Sequence, residues 1–169
     1  NRGGMHVVSS FAEPGDGGGV RTATVDEFSL PRADLMKIDV EGHESKVITG
    51  AMETLKRCRP IVFCEVNSIS AGIYLYNSWT TENYLTMGIR SFATNMNNFY
   101  GNTEDKFEDA SECGLLFVPK ERIYDIPEKI SGNVLTFVRD SEDIVALMLG
   151  QIQYLSSFWH MNQERHALT

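Results

Sequence analysis

The stretch that decides the fold is Asp34-Leu35-Met36-Lys37-Ile38-Asp39-Val40-Glu41-Gly42-His43-Glu44, followed by Pro60-Ile61-Val62-Phe63-Cys64-Glu65-Val66. Residues 35–40 form a short, largely apolar run that Glu41-Gly42 closes with turn residues, the signature of a strand. From His43 the period changes. Val47, Ile48, Ala51, Met52 and Leu55 recur at helical spacing, while Glu44, Lys46, Glu53, Lys56 and Arg57 take the other face. Pro60 cannot continue a helix. The run at 61–66 is apolar except for Glu65, as expected of a parallel strand covered on both faces. Strand, helix and strand over 35–66 predict one right-handed βαβ unit, with a helix over 43–57 packed on the sheet.

Upstream, Gly3-Gly4 and Gly17-Gly18-Gly19 flank a short apolar stretch from Met5 to Phe11. This pattern predicts a strand at 6–9, a loop at 13–19, a strand-like entry at 20–25 and a helical turn or loop at 26–30. Downstream it predicts a helix over 78–87 that stops at Gly88, and strands over 89–94 and 115–118. Between those strands lies a polar loop rich in Asn, Asp and Glu. Two late strands joined by a long loop suit an antiparallel hairpin finishing an otherwise parallel sheet. A last helix begins at Asp140 or Ser141, with Glu142 and Asp143 favourably placed in its first turn. Its apolar stripe is Ile144, Met148, Ile152, Leu155 and Trp159, which docks on its own sheet more readily than on a partner.

The 169 residues are 42% hydrophobic and 22% charged, a globular composition for one domain. The balance of 15 basic against 23 acidic residues gives a net charge of −8, which argues against nucleic acid as a partner. Cys58, Cys64 and Cys113 form no Cys-x-x-Cys pair, a usage that suits a reducing, cytoplasmic compartment. No run approaches the ~18 apolar residues of a membrane span, and no signal peptide is visible, so no membrane partner is expected. The chain opens on Asn1 in a loop-like Asn-Arg-Gly-Gly, which suggests a piece of a longer chain.

In parallel α/β sheets, ligands bind outside the carboxyl ends of the strands. Here those ends carry Asp39 and Glu41 after the first strand and Glu65 after the second. Alternation puts Lys37, Asp39 and Glu41 on one face and Met36, Ile38 and Val40 on the other. A lysine and an aspartate two apart in a buried strand are expensive unless paired or functional. They read either as a ligand site or as a structural lysine–carboxylate network. Other constellations fail. Val47 occupies the position four after His43, so Gly42-His43-Glu44 does not open a zinc-protease helix. His160 and His166 do not share a helix face, and no nucleophile elbow or phosphate-loop lysine occurs. Asn97, Asn98, Phe99 and Tyr100 read as a surface loop or as the lining of a substrate cleft.

The runs Thr24-Val25-Asp26-Glu27-Phe28, Asp34 to Glu44, Val47-Ile48-Thr49-Gly50-Ala51 and Pro60 to Glu65 together resemble the FkbM family of methyltransferases. The likeness is close over about 20–66 and looser to the strands near Ile89 and Leu115. Glu27 replaces the second Asp of the family's "TLDD" element, and His43 replaces its usual Ala. The resemblance implies an α/β fold: part of a Rossmann-like, class I methyltransferase sheet, mostly parallel with an antiparallel final hairpin, plus a C-terminal helix. Residues 1–139 would be the C-terminal part of the methyltransferase domain, and 140–169 its last helix and tail. It implies methyl transfer from S-adenosylmethionine to an oxygen nucleophile of a small molecule or glycan. Asp39, Glu41 and Glu65 would be the catalytic residues and Asp26 a cofactor contact, either beside the adenine or as a plain helix-start aspartate. The family's glycine-rich cofactor loop and ribose-binding acid would precede Asn1, so this chain alone is expected to be inactive. The competing readings are a metal-dependent hydrolase using Asp39, Glu41 and Glu65 as ligands, and a non-catalytic binding or dimerisation module.

Overall fold

The computed structural model describes residues 22–79, 83–95, 97–104, 110–126 and 135–149. Five strands form one sheet: β1 (Leu35–Ile38), β2 (Ile61–Glu65), β3 (Tyr84–Phe92), β4 (Ser111–Pro119) and β5 (Leu135–Val138), in the order β1-β2-β4-β3-β5. Four α-helices accompany it among the described residues: α1 (Glu44–Thr49), α2 (Met52–Cys58), α3 (Ile69–Trp79) and α4 (Ser141–Leu149). The expected βαβ unit is present, with β1 and β2 adjacent and parallel, Lys37 opposite Phe63 and Ile38 opposite Cys64.

The sheet as a whole is not mostly parallel. Among the described strands only β1–β2 is parallel; β2–β4, β3–β4 and β3–β5 are antiparallel. A parallel neighbour needs a crossover of a dozen or more residues, whereas an antiparallel one needs only a loop. The hairpin β3–β4 inserts β4 beside β2 and leaves β3 to pair with β5. That hairpin is longer than the sequence suggests: residues 84–87 and 111–114 belong to its strands. The helix expected over 78–87 lies instead at Ile69–Trp79, and Gly88 is internal to β3. Met87 and Gly88 are buried, so this part of β3 shows no alternation by which to recognise a strand. The helical turn at Asp26–Phe28 is as expected. The strand expected at 6–9 and the loop at 13–19 lie outside the described residues, as do Ile152, Leu155 and Trp159.

The main core sits on one face of the sheet, under all four helices. Ile38, Val62, Cys64, Leu115 and Phe117 face Ile48, Leu55, Leu75 and Trp79, with Ile144 and Met148 of α4 fully buried among them. The described part of the final helix thus docks on its own sheet. Asp140 caps it, accepting the N–H groups of Glu142 and Asp143 at 2.9 and 3.0 Å. A smaller cluster on the opposite face, Met87, Leu116 and Val118 with Ile61, Phe63 and Ile89, is covered by Ile123 and Ile126 at the turn Lys120–Asp125. Arg59 fixes that turn to the start of β2 by a double hydrogen bond to Glu121, which holds the Glu121 carboxyl down at about 2.

The crossover helix is broken at Gly50–Ala51, and the break has a cause. The Asp26 N–H donates to the Gly50 carbonyl at 3.0 Å, and the Thr24 side chain lies 3.1 Å from where a Cβ on Gly50 would stand. The segment before β1 therefore wedges into the helix. Asp26 then accepts the backbone N–H of Glu53 (3.0 Å) and of Thr54 (2.8 Å) and the Thr54 hydroxyl (2.7 Å), starting α2 afresh.

Candidate functional site

Period-2 alternation along β1 and β2 places Lys37 and Phe63 side by side on the face away from the main core, with Asp39 and Glu65 following at the carboxyl ends. Hydrogen bonding unites the three polar groups. Lys37 Nζ donates to Asp39 Oδ2 at 2.8 Å, and the Glu65 carboxyl shares a hydrogen bond with Asp39. Gly114 opposite Glu65 makes this possible: a Cβ there would stand 2.2 Å from Cε2 of Phe63, so only glycine lets that ring lie flat across β4. Ser91 and Glu112, paired across β3 and β4, close the far side of a recess of about 40 Å³.

Two carboxyl groups sharing a hydrogen bond hold one proton between them. Asp39 gives up its proton readily, because its bond to Glu65 and the Lys37 ammonium favour the carboxylate. Glu65 is pushed up to about 7 by the shared hydrogen bond with Asp39, then by burial and by the charges of Asp39, Glu112 and Glu41. Lys37 in turn is held more firmly protonated by Asp39. The site therefore offers an ionised Asp39 anchored by an ammonium, next to a Glu65 that exchanges its proton near neutrality. Nearby Cys64 is no nucleophile. It points into the main core, and burial pushes its thiol up to about 12.

The predicted residues are thus partly brought together. Glu41 leaves the strand with a left-handed backbone (φ 50°) and accepts a hydrogen bond from Asn67 Nδ2 at 3.4 Å, so it acts on Glu65 by its charge. Asp26 is not among the residues lining the recess, and its carboxylate is engaged at the start of α2. Ser91 and Glu112 escape a reading of the sequence because they sit in stretches that resemble a loop or a short strand. Only the hairpin register brings them opposite the βαβ unit. His43 precedes α1 without a side-chain cap, and it is Glu44 that reaches back to the Gly42 N–H at 3.0 Å.

Among the described residues no group of three or more His, Cys, Asp or Glu side chains is placed to hold a metal ion. No helix among them is long and apolar enough to cross a membrane. Neither the comparison with curated proteins nor that with solved structures gave a match. The family description "Methyltransferase FkbM domain" matches residues 2–100, which include β1, the interrupted crossover helix, β2, α3 and β3. That is more than half of the sequence, and the chain belongs to the FkbM methyltransferase family.

Proposed function

We propose that the chain contributes to methyl transfer from S-adenosylmethionine to a hydroxyl oxygen of a small molecule or glycan, and that the Asp39–Glu65 pair handles the proton released. The observation that carries this reading is the pair itself: two carboxyls at neighbouring strand ends, one anchored by Lys37 and the other titrating at about 7. Family membership supports methyl transfer in general.

The cofactor, when bound, supplies an electrophilic methyl group on a cationic sulfur. The donor set fits that end of it, since Asp39, Glu41, Glu65 and Glu112 concentrate negative charge around the recess. We assign no adenosine contacts to the described residues. Asp26 belongs to the frame in this reading, because its oxygens already accept three hydrogen bonds.

An acceptor hydroxyl in the recess is oriented by Asp39, whose Lys37 contact keeps it ionised. Glu65 is the stronger base of the two and would take the acceptor hydroxyl's proton, while the methyl–sulfur bond that breaks would leave its electron pair on the cofactor's sulfur as a neutral thioether. A base that titrates near the working pH is effective in both directions, accepting the proton and then releasing it to water. Ser91 adds a further hydroxyl to the rim of the recess.

The test is transfer of radiolabelled methyl from S-adenosylmethionine to neutral glycans and small alcohols by the full-length enzyme, followed from pH 5.5 to 8.5. The rate should rise through about pH 7 as Glu65 deprotonates. Glu65→Gln and Asp39→Asn should each lower turnover by about 10²-fold, the scale of acid–base contributions, and Glu65→Gln should flatten the profile. Full turnover in both variants, with their fold intact, would return the pair to a structural role.

A further inference from the structure

The recess at the carboxyl pair, at about 40 Å³, admits one reacting group and not the body of an acceptor. Sites for whole small molecules run to roughly 300–1,000 Å³. A recess of that size, about 430 Å³, opens in the connection after β3, lined by Asn95, Asn98, Tyr100, Asn102 and Glu104. Its position follows from the hairpin register. Ser91 and Glu112 flank the carboxyl pair, and the next step outward is the Ala93 N–H donating to the Ala110 carbonyl at 2.8 Å. β1, β2 and β3 all run in the same direction, so this connection rises from the same end of the sheet as Asp39 and Glu65.

Asn98 makes four of the hydrogen bonds that hold the connection internally. Asn98 Nδ2 donates to the carbonyls of Asn95 and Asn102, and Asn98 Oδ1 accepts the N–H groups of Tyr100 (3.1 Å) and Asn102 (3.2 Å). On this frame stand Phe99 and Tyr100, 96% and 90% exposed, with their rings edge to face at 5.4 Å. Asn95 and Asn102 spend their side-chain oxygens on the N–H groups of Asn97 and Glu104, which leaves their amide NH₂ groups available to a ligand.

We propose that this connection is the acceptor platform and that it takes a neutral sugar. The proposal rests on the methyl-transfer reading above and names its acceptor class. A pyranose ring has C–H faces that lie against an aromatic ring, and hydroxyls that accept from carboxamides; both features stand here on a fixed frame. Glu104 stands at the edge of the recess, and the whole chain carries a net charge of −8, so phosphorylated or sulfated ligands are repelled. A sugar held here presents one hydroxyl to the smaller recess while its ring remains on the platform.

The test uses the whole chain on an array of neutral, sulfated and sialylated oligosaccharides. Neutral members should be retained in preference to anionic ones. Combined Phe99→Ala and Tyr100→Ala should weaken that binding at least tenfold with an unchanged melting temperature, while Tyr100→Trp should keep it. Should the double variant fail to fold, ring-current shifts of Tyr100 on titrating wild-type protein with the best neutral glycan give the same answer. Glu65→Gln should bind as wild type and lose turnover, so loss of binding and loss of chemistry remain separable. No retention of neutral glycans by the wild type would overturn the proposal. So would retention that survives the double variant, or that is abolished by Tyr74→Ala, which alters a separate recess of about 300 Å³ lined by Glu44 and Ser45 of α1 and by Ala71 and Tyr74 of α3. A wild-type dimer that the double variant dissociates, with no glycan bound, would assign the aromatic pair to a second copy instead.

Discussion

Gly114 shows how a single missing methyl group shapes the site. It is opposite Glu65 in the β2–β4 register, and the Phe63 ring occupies the space its side chain would take. A Cβ would meet Cε2 and Cζ of Phe63 at 2.2 and 2.4 Å and the Cys64 carbonyl at 3.1 Å. The ring is planar and wedged beside β1, so it cannot withdraw as a flexible chain end would. Gly114→Ala should therefore cost about 1–3 kcal/mol by overpacking, read as a lower urea midpoint with unchanged slope. It should also disturb the recess, because Phe63 and Gly114 both line it. A stability within a few tenths of a kcal/mol of wild type would mean that the ring has another place to go. That Asp39 and Glu65 would stand together at neighbouring strand ends was legible from the strand-end rule alone. Gly114 was not, since a glycine in an apolar run says nothing of the ring from another strand that fills its place.

At the scale of elements, the break between α1 and α2 is a case where periodicity reads correctly and still misleads. Val47, Ile48, Ala51, Met52 and Leu55 lie on the apolar face in sequence and in the structure, yet the helix is not continuous. The interruption comes from a segment some 25 positions upstream, which supplies Asp26 as a cap. Its carboxyl is held down by hydrogen bonds from the Thr54 hydroxyl and from the Thr54 and Glu53 N–H groups, which outweigh the cost of its partial burial. Asp26→Ala leaves those donors without a partner at the start of α2 and should lower the urea midpoint, as other N-cap deletions do. Asp26→Asn keeps an acceptor oxygen and should lower it less. Both are read by chemical denaturation, and an alanine variant as stable as wild type would free Asp26 for a different role. The βαβ unit and the capped start of α4 were legible because each is specified by adjacent residues. Helix α3 and strand β3 were not, because Tyr84, Met87 and Gly88 are buried by strands and helices far along the chain, which erases the period-2 signal.

Across the whole molecule the two faces of the sheet do different work. One is sealed by four helices over a contiguous core. The other carries a small apolar cluster at one end and the carboxyl pair at the other. Like charges gathered on the less covered face should have a global cost that depends on pH, and its sign follows from Glu65. The folded state binds the Glu65 proton more tightly than the unfolded chain does, titrating at about 7 rather than at the ordinary 4.5. This contribution to stability is complete below about 4.5, where both states are protonated, and is lost as pH rises through about 7. Asp39 has the opposite sign and a separate window: its lowered carboxyl stabilises the fold above the ordinary 3.8, and that support is lost only in more acid solution. Between pH 5 and 8.5, then, Glu65 alone of the pair should drive a fall in stability. Glu65→Gln removes the titrating group, while its amide can still donate to Asp39. The variant should melt close to wild type at pH 5 and above it at pH 8.5, where wild-type Glu65 is a carboxylate facing Asp39, Glu41 and Glu112. The same substitution that is expected to lower turnover should thus make the protein more stable in alkaline solution, the pattern expected where charge is concentrated for chemistry at the expense of the fold. Thermal melts of both proteins at half-unit steps decide it: parallel curves across that range would show that the pair shares no proton in the folded state.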